Sequence, residues 1–330
     1  MNMRRQLIYA LGAGAFALPL SSLAQQPGKV WHIGFLDFGT QQSMVDSGRL
    51  AELIEGLRER GYVEGRNFVL QVHYADGNTD RLDKHAAELV QQKADLIFAL
   101  GTVASHAAQR ATAAIPIVAI SSADPVSLGI ATSLARPGSN VTGLTNGSDD
   151  TAQKQVEMLL LAALKLKLVA VITNPGNDSH TSRLLRVQAA TRQTGKQVLP
   201  IGVRTPEEIE RGFARMARER ADAVIIFSDA YLFSQRMLIA ALALKHRLPS
   251  IYPQAQYPEA GGLMSYGSDA NDNFRRAAIF VDKILKGAKP GDIPFEQPTR
   301  YYFVINGKTA NALGVKLNNE LLVRADKVIE

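Results

Sequence analysis

From Val30 onward, short apolar runs alternate with stretches in which apolar residues recur every three or four positions. Residues 33–36 read as a strand, Leu50, Leu53, Ile54 and Leu57 follow helical spacing, and residues 68–72 return to extended sequence. The rhythm continues with a helix around Leu82, Ala86, Leu89 and Val90, an apolar strand over 94–100, a helix after Thr102 and a strand over 117–120. Strands that are apolar throughout are covered on both faces, which implies parallel sheets flanked by helices. A second set follows, with strands at 169–173, 198–201 and 224–227 and helices over 181–194, 206–220 and 232–246.

The two sets are of similar size and separate near residues 143–150. The predicted fold class is therefore α/β, with two doubly wound Rossmann-like lobes built on parallel sheets. A strand over 262–266, a helix over 272–286 and a strand over 302–305 remain, the last after a Pro-rich stretch at 290–298. Such a tail completes one or both sheets only if the chain crosses between the lobes more than once. Several crossings make a hinge.

The 330-residue chain starts with Arg4 and Arg5, an apolar run over residues 7–20, and Ser22-Leu23-Ala24 ahead of Gln25-Gln26. That order is the charged, apolar, small-residue pattern of a secretory signal peptide. The run falls short of the roughly 20 apolar residues a spanning helix needs. The expectation is cleavage after Ala24 (residues 1–24 removed) and residence in the periplasm; a retained N-terminal anchor is the alternative. Arg4-Arg5 followed by Gln6-Leu7-Ile8 also fits twin-arginine export. The sequence has no cysteine, so it offers no disulfide, no thiolate ligand and no lipoprotein anchor. Its formal charge of +6 falls to +4 once Arg4 and Arg5 are set aside. Basic residues are interspersed with acidic ones, as in Arg58-Glu59-Arg60 and Arg218-Glu219-Arg220, a solvated pattern that argues against a nucleic-acid partner.

Catalytic constellations are missing. No G-x-G-x-x-G follows a strand, since Gly12 and Gly14 lie in the leading segment. Gly307-Lys308-Thr309 resembles the end of a phosphate-binding loop, but Tyr302 stands where its first glycine belongs, and Asn306 reads as an ordinary helix cap. The six histidines show neither H-E-x-x-H nor paired spacing on one helix face, so no metal site is expected. Residues 101–105 lack the pattern of a nucleophile elbow. The expectation is a binder without cofactor or catalytic residues.

In open α/β sheets, ligands bind beyond the carboxyl ends of the strands. Those ends carry Asp37-Phe38-Gly39-Thr40, Gly101-Thr102 and Ser121-Ser122-Ala123-Asp124-Pro125 in the first set. The second set carries residues 173–178, with Asn174 and Asn177, then Ser228-Asp229-Ala230-Tyr231, and Ser265-Tyr266-Gly267 at a crossing strand. Backbone N–H groups near Thr102 suit a carboxylate. Asp124 or Asp229 suits an ammonium or hydroxyl, and Phe38, Tyr231 and Tyr266 suit apolar or aromatic walls. The candidate ligand set is Asp37, Phe38, Gly101, Thr102, Ser122, Asp124, Asn174, Asn177, Asp229, Tyr231 and Tyr266. The competing reading makes them caps, turns and loop anchors.

Several stretches resemble the ABC transporter substrate-binding family that includes tryptophan- and phenylalanine-binding periplasmic proteins. They are Gly61-Tyr62-Val63-Glu64-Gly65-Arg66-Asn67, Ile115-Pro116-Ile117-Val118, Asp124-Pro125-Val126 and Ala135-Arg136-Pro137-Gly138-Ser139-Asn140-Val141-Thr142-Gly143. Later ones are Arg247-Leu248-Pro249, residues 259–267, residues 282–288 and the close at 322–330. The resemblance implies a type I periplasmic-binding fold whose two lobes close on a small molecule and present it to an inner-membrane permease with its ATPase. It implies three crossings, with residues 25–144 plus 265–292 in the first lobe and 145–264 plus 293–330 in the second. It also implies a monomer and, with the aromatic loop residues, an aromatic amino acid or small organic acid as solute. Lys165-Leu166-Lys167 departs from the Pro-Gly turn common at this point. A sensor docking on a chemoreceptor or kinase, or an exported α/β hydrolase-type enzyme, are the alternatives.

Overall fold

A computed structural model describes residues 29–330 except 122, 164 and 165, and only the backbone of 148–150. Residues 1–24, read above as a signal peptide, lie outside the described residues.

The first part of the chain runs β1 (Trp31–Asp37), α1 (Gln41–Ser47), α2 (Arg49–Arg58), β2 (Phe68–Tyr74), α3 (Thr79–Gln91), β3 (Leu96–Leu100), α4 (Gly101–Ala111), β4 (Ile117–Ser121) and β5 (Val141–Thr145). These strands form one parallel sheet in the order β2-β1-β3-β4-β5. β3 and β4 are buried at every position, as continuous apolar runs require. β5 falls where the sequence pattern suggests the lobe junction. Its Val-Thr-Gly-Leu-Thr sequence hides a strand that is buried although it lies at the edge of the sheet, and a methyl group on Gly143 would lie 2.0 Å from the Ala119 carbonyl oxygen.

The chain then builds α5 (Ser148–Ala162), β6 (Leu168–Thr173), α6 (Ser179–Gln193), β7 (Gln197–Gly202), α7 (Pro206–Arg218), β8 (Ala223–Ile226), α8 (Ala230–Ser234), α9 (Arg236–Lys245), β9 (Ser250–Tyr252), α10 (Gln256–Glu259) and β10 (Met264–Gly267). After α11 (Ala270–Leu285) come β11 (Tyr302–Asn306), α12 (Gly307–Leu313), α13 (Asn319–Arg324) and β12 (Lys327–Ile329). The second sheet has the order β12-β11-β10-β9-β8-β6-β7, with only the β10–β11 pair antiparallel. Asn306 caps α12 through its side chain, which accepts from the Thr309 N–H. The predicted helix over 232–246 is two helices, broken at Gln235.

Two short segments expected in one lobe belong to the other. Ser265, Tyr266 and Gly267 hydrogen-bond within the second sheet against β11, because strand β10 continues unbroken through them. Phe295 and Glu296, expected in the second lobe, donate to Leu134 and Gly143 carbonyls of the first, and Thr145 donates back to Glu296. Between these points α11 packs on α2, β4 and β5 of the first lobe. The chain therefore passes between the lobes after β5, after β10 and again before β11. The two sheets and their helices form two α/β lobes joined by these three passages.

Candidate functional site

The carboxyl ends of both sheets face each other, and side chains bridge the gap. The Arg49 guanidinium, at the start of α2, lies 3.6 Å from the Phe233 ring centroid on α8 and donates to Gln254 Oε1 (3.1 Å). Arg236 Nη1–H donates to Ser43 Oγ (3.0 Å) and its guanidinium lies 3.7 Å from Asp46. Tyr231 packs on Gly77, where a methyl group would lie 2.5 Å from the ring. His106 of the first lobe faces Asp178 of the second at 3.9 Å. The lobes are closed on one another.

Between them lies a cavity lined by residues of both lobes. The first lobe contributes Arg49, Leu100, Gly101, Ile120 and Asn146, and the second contributes Ser228, Asp229, Ala230, Phe233 and Gln254. Helix α11 adds Ala270, Asn273 and Phe274. One wall thus carries a buried guanidinium and another a buried carboxylate. Burial lowers the Arg49 pKa to about 10 despite the opposing pull of Asp37. Its Nε has no hydrogen-bond partner among the described residues.

Asp229 is held from three sides. Its Oδ2 accepts from Asn177 Nδ2 (2.8 Å) and Asn174 Nδ2 (3.2 Å), and its Oδ1 caps α8 by accepting from the Leu232 N–H (3.0 Å). Behind it, the Asn174 N–H donates to His180 Nδ1 (2.8 Å), while His180 Nε2 faces the Ser228 carbonyl at 3.2 Å. A donor on one side and an acceptor on the other fix the neutral tautomer with its proton on Nε2. Burial pushes the His180 pKa down, in keeping with that form.

Of the residues singled out in the sequence, Gly101 and Asp229 line this cavity. Asn174 and Asn177 do not; their amides support Asp229 from behind. Asp37 is buried beneath the site, its Oδ1 accepting from the Gly39 N–H (2.8 Å). Burial raises its pKa to about 7, against the lowering effects of that hydrogen bond and of Arg49. Phe38 and Tyr231 are packed in the core that runs between the lobes. Thr102 is fully buried at the start of α4, its Oγ1 without a partner among the described residues.

Asp124 closes its own turn by accepting from the Val126 and Ser127 N–H groups. Tyr266 turns away, stacked on Tyr301 (5.8 Å) and edge-on to Phe303, because alternation along β10 sends it to the opposite face. Ser122 lies outside the described residues. Sequence reasoning passed over Arg49, Asn146, Phe233, Gln254 and Asn273. Asn146 had a readable signal, since it follows a strand end, but that strand, β5, was not recognised.

A profile of the family described as ABC transporter substrate binding protein matches residues 46–329. The tyrosine-binding protein of Clostridioides difficile (strain R20291) is 25% identical over 263 residues, covering 80% of this chain and 75% of that protein. Among solved structures, a conserved domain protein from Vibrio cholerae O1 superposes with a TM-score of 0.84 at 25% identity, over 91% of this chain and 100% of that one. An ABC domain from Streptococcus pneumonia in complex with L-Trp gives a TM-score of 0.83 at 24% identity, again over 91% and 100%. The paired α/β lobes are the type I periplasmic-binding architecture that the sequence resemblance implies. With the match spanning both lobes and all three passages between them, this chain belongs to the ABC transporter substrate-binding protein family.

Proposed function

We propose that this protein captures an α-amino acid, an aromatic one foremost, between its lobes and delivers it to an inner-membrane permease and ATPase. The observation that carries the reading is the pairing of Arg49 and Asp229, two buried groups of opposite charge, across one cavity. A zwitterion meets both demands at once: its ammonium faces the Asp229 carboxylate and its carboxylate faces Arg49 and the first N–H groups of α4 at Gly101. Leu100, Ile120, Phe233 and Phe274 supply apolar walls for a side chain. The names of the tyrosine-binding relative and the L-Trp complex support an aromatic ligand.

A solute that touches both lobes stabilises the closed form by its differential affinity, and closure is the signal a permease reads. Binding makes and breaks no covalent bond in this scheme. Export to the periplasm as a freely diffusing monomer completes the reading; among the described residues no helix is long and apolar enough to cross a membrane. A thermal-shift screen of the exported protein against the amino acids and small aromatic acids tests it, with mass spectrometry of the compound after incubation. The expected result is a specific rise in Tm with an aromatic amino acid recovered intact. Chemical conversion of the compound would overturn the binder reading, and a shift confined to non-amino-acid solutes would overturn the ligand class.

A further inference from the structure

His73 and His85 are 12 positions apart in sequence, yet their Nδ1 atoms stand 3.3 Å apart. His73 lies on β2, the edge strand of the first sheet, while His85 and Glu88 lie one turn apart on α3, which packs against β1 and β2. Glu88 Oε2 is 3.0 Å from His85 Nδ1 and 3.9 Å from His73 Nδ1. Strand and helix therefore bring three potential ligand atoms to one point.

Hydrogen bonding fills that point poorly. A proton on His85 Nδ1 serves Glu88 and leaves the His73 nitrogen to share it from the side; protons on both rings set two N–H groups against each other. A cation satisfies all three lone pairs together. A tetrahedral ion with bonds of about 2.0–2.1 Å spaces its ligand atoms about 3.3 Å apart, within the range of 3.0–3.9 Å found here. The two imidazoles are 19% and 20% exposed and the carboxylate 34%, so an ion has access from solvent and water completes its shell. Lys84 Nζ approaches the other carboxylate oxygen at 3.9 Å, but at 76% exposure it is free to swing aside.

We propose that His73, His85 and Glu88 form a binding site for a divalent transition-metal ion, Zn²⁺ foremost, that ties edge strand β2 to α3. Two imidazoles and one carboxylate suit Zn²⁺, then Ni²⁺ or Cu²⁺, over Mg²⁺ or Ca²⁺. The clip flanks the turn at residues 75–78, whose Gly77 receives Tyr231, and it stands apart from the cavity residues.

The test is calorimetric titration of ZnCl₂ into the exported protein, purified without a histidine tag and stripped with chelator. One Zn²⁺ per chain is expected, with affinity lowered at least about 10-fold by His73→Ala or His85→Ala and unchanged by His32→Ala at an exposed position. Failure of the wild-type protein to saturate below about 0.1 mM, or wild-type affinity in both variants, overturns the site. Should either variant misfold, Co²⁺ bound to the wild-type protein decides: a low-coordinate visible spectrum with two imidazole nitrogens by X-ray absorption supports it, and an aquo-ion spectrum overturns it.

Discussion

Arg49 and Phe233 meet face to face across the two lobes, the guanidinium carbon 3.6 Å from the ring centroid. A cation packed on an aromatic face contributes about 0.5–2 kcal/mol, and here the same guanidinium also donates to Gln254 and borders the cavity. One side chain thereby couples closure to the charge of whatever the cavity holds.

Replacing Arg49 should therefore weaken capture more than it weakens folding. For both Arg49→Met and Arg49→Ala we expect amino-acid affinity to fall at least about 10-fold, with the unfolding midpoint of the ligand-free protein little changed. Calorimetry with tyrosine and tryptophan checks this, and unchanged affinity in both variants would remove Arg49 from the site.

Asp229 serves its two asparagines and the cap of α8 together. Asp229→Ala should cost about 1–3 kcal/mol of stability for each buried donor left unpaired, measured by urea unfolding. Asp229→Asn keeps the volume and an acceptor for the cap, so it should fold better than the alanine variant yet still lose amino-acid binding. Retention of binding by the asparagine variant would show that the carboxylate charge is not what the ligand reads.

Burial raises the Asp37 pKa to about 7 from an ordinary value of 3.8. The folded state then holds a proton that the unfolded chain has released, so this group's contribution is intact below about pH 4 and is lost as pH rises to about 7. Arg49, Asp229 and Asp76 set the field around it. Asp37→Asn should gain stability relative to the parent across that interval and hold a constant advantage above it. Comparing the two proteins by urea unfolding between pH 4.5 and 8, a range chosen around those values, cancels the opposite slope of His180; a pH-independent difference would contradict the assignment.

Gly77 combines a left-handed backbone, φ +77°, with the contact to Tyr231. Gly77→Ala adds strain of roughly 1–2 kcal/mol in that conformation and a clash that exists only when the lobes are closed. The variant should fold, open more in small-angle scattering, and bind its amino acid more weakly. Equal weakening by Gly61→Ala, whose built methyl meets nothing within 4 Å, would show backbone strain alone to be responsible.

The chain's apolar rhythm by itself determined the α/β class and most strand positions. β1, β3, β4, β6 and β8 are apolar because both faces of a parallel sheet are covered, and that demand is local enough to read residue by residue. Strand ends were legible for the same reason, which is how Gly101 and Asp229 were singled out. β5, with its threonines and Gly143, and β9, only three residues long, carried too little contrast. Tertiary structure alone decided the partners. Nothing near Arg49 in sequence announces Gln254, 205 positions away, and nothing on α3 announces that His85 will meet His73 from an edge strand. Local pattern reports whether a residue is inside or outside an element. Which side chains converge depends on how strand order and the three passages bring the lobes together, a long-range outcome of packing that no window of sequence contains.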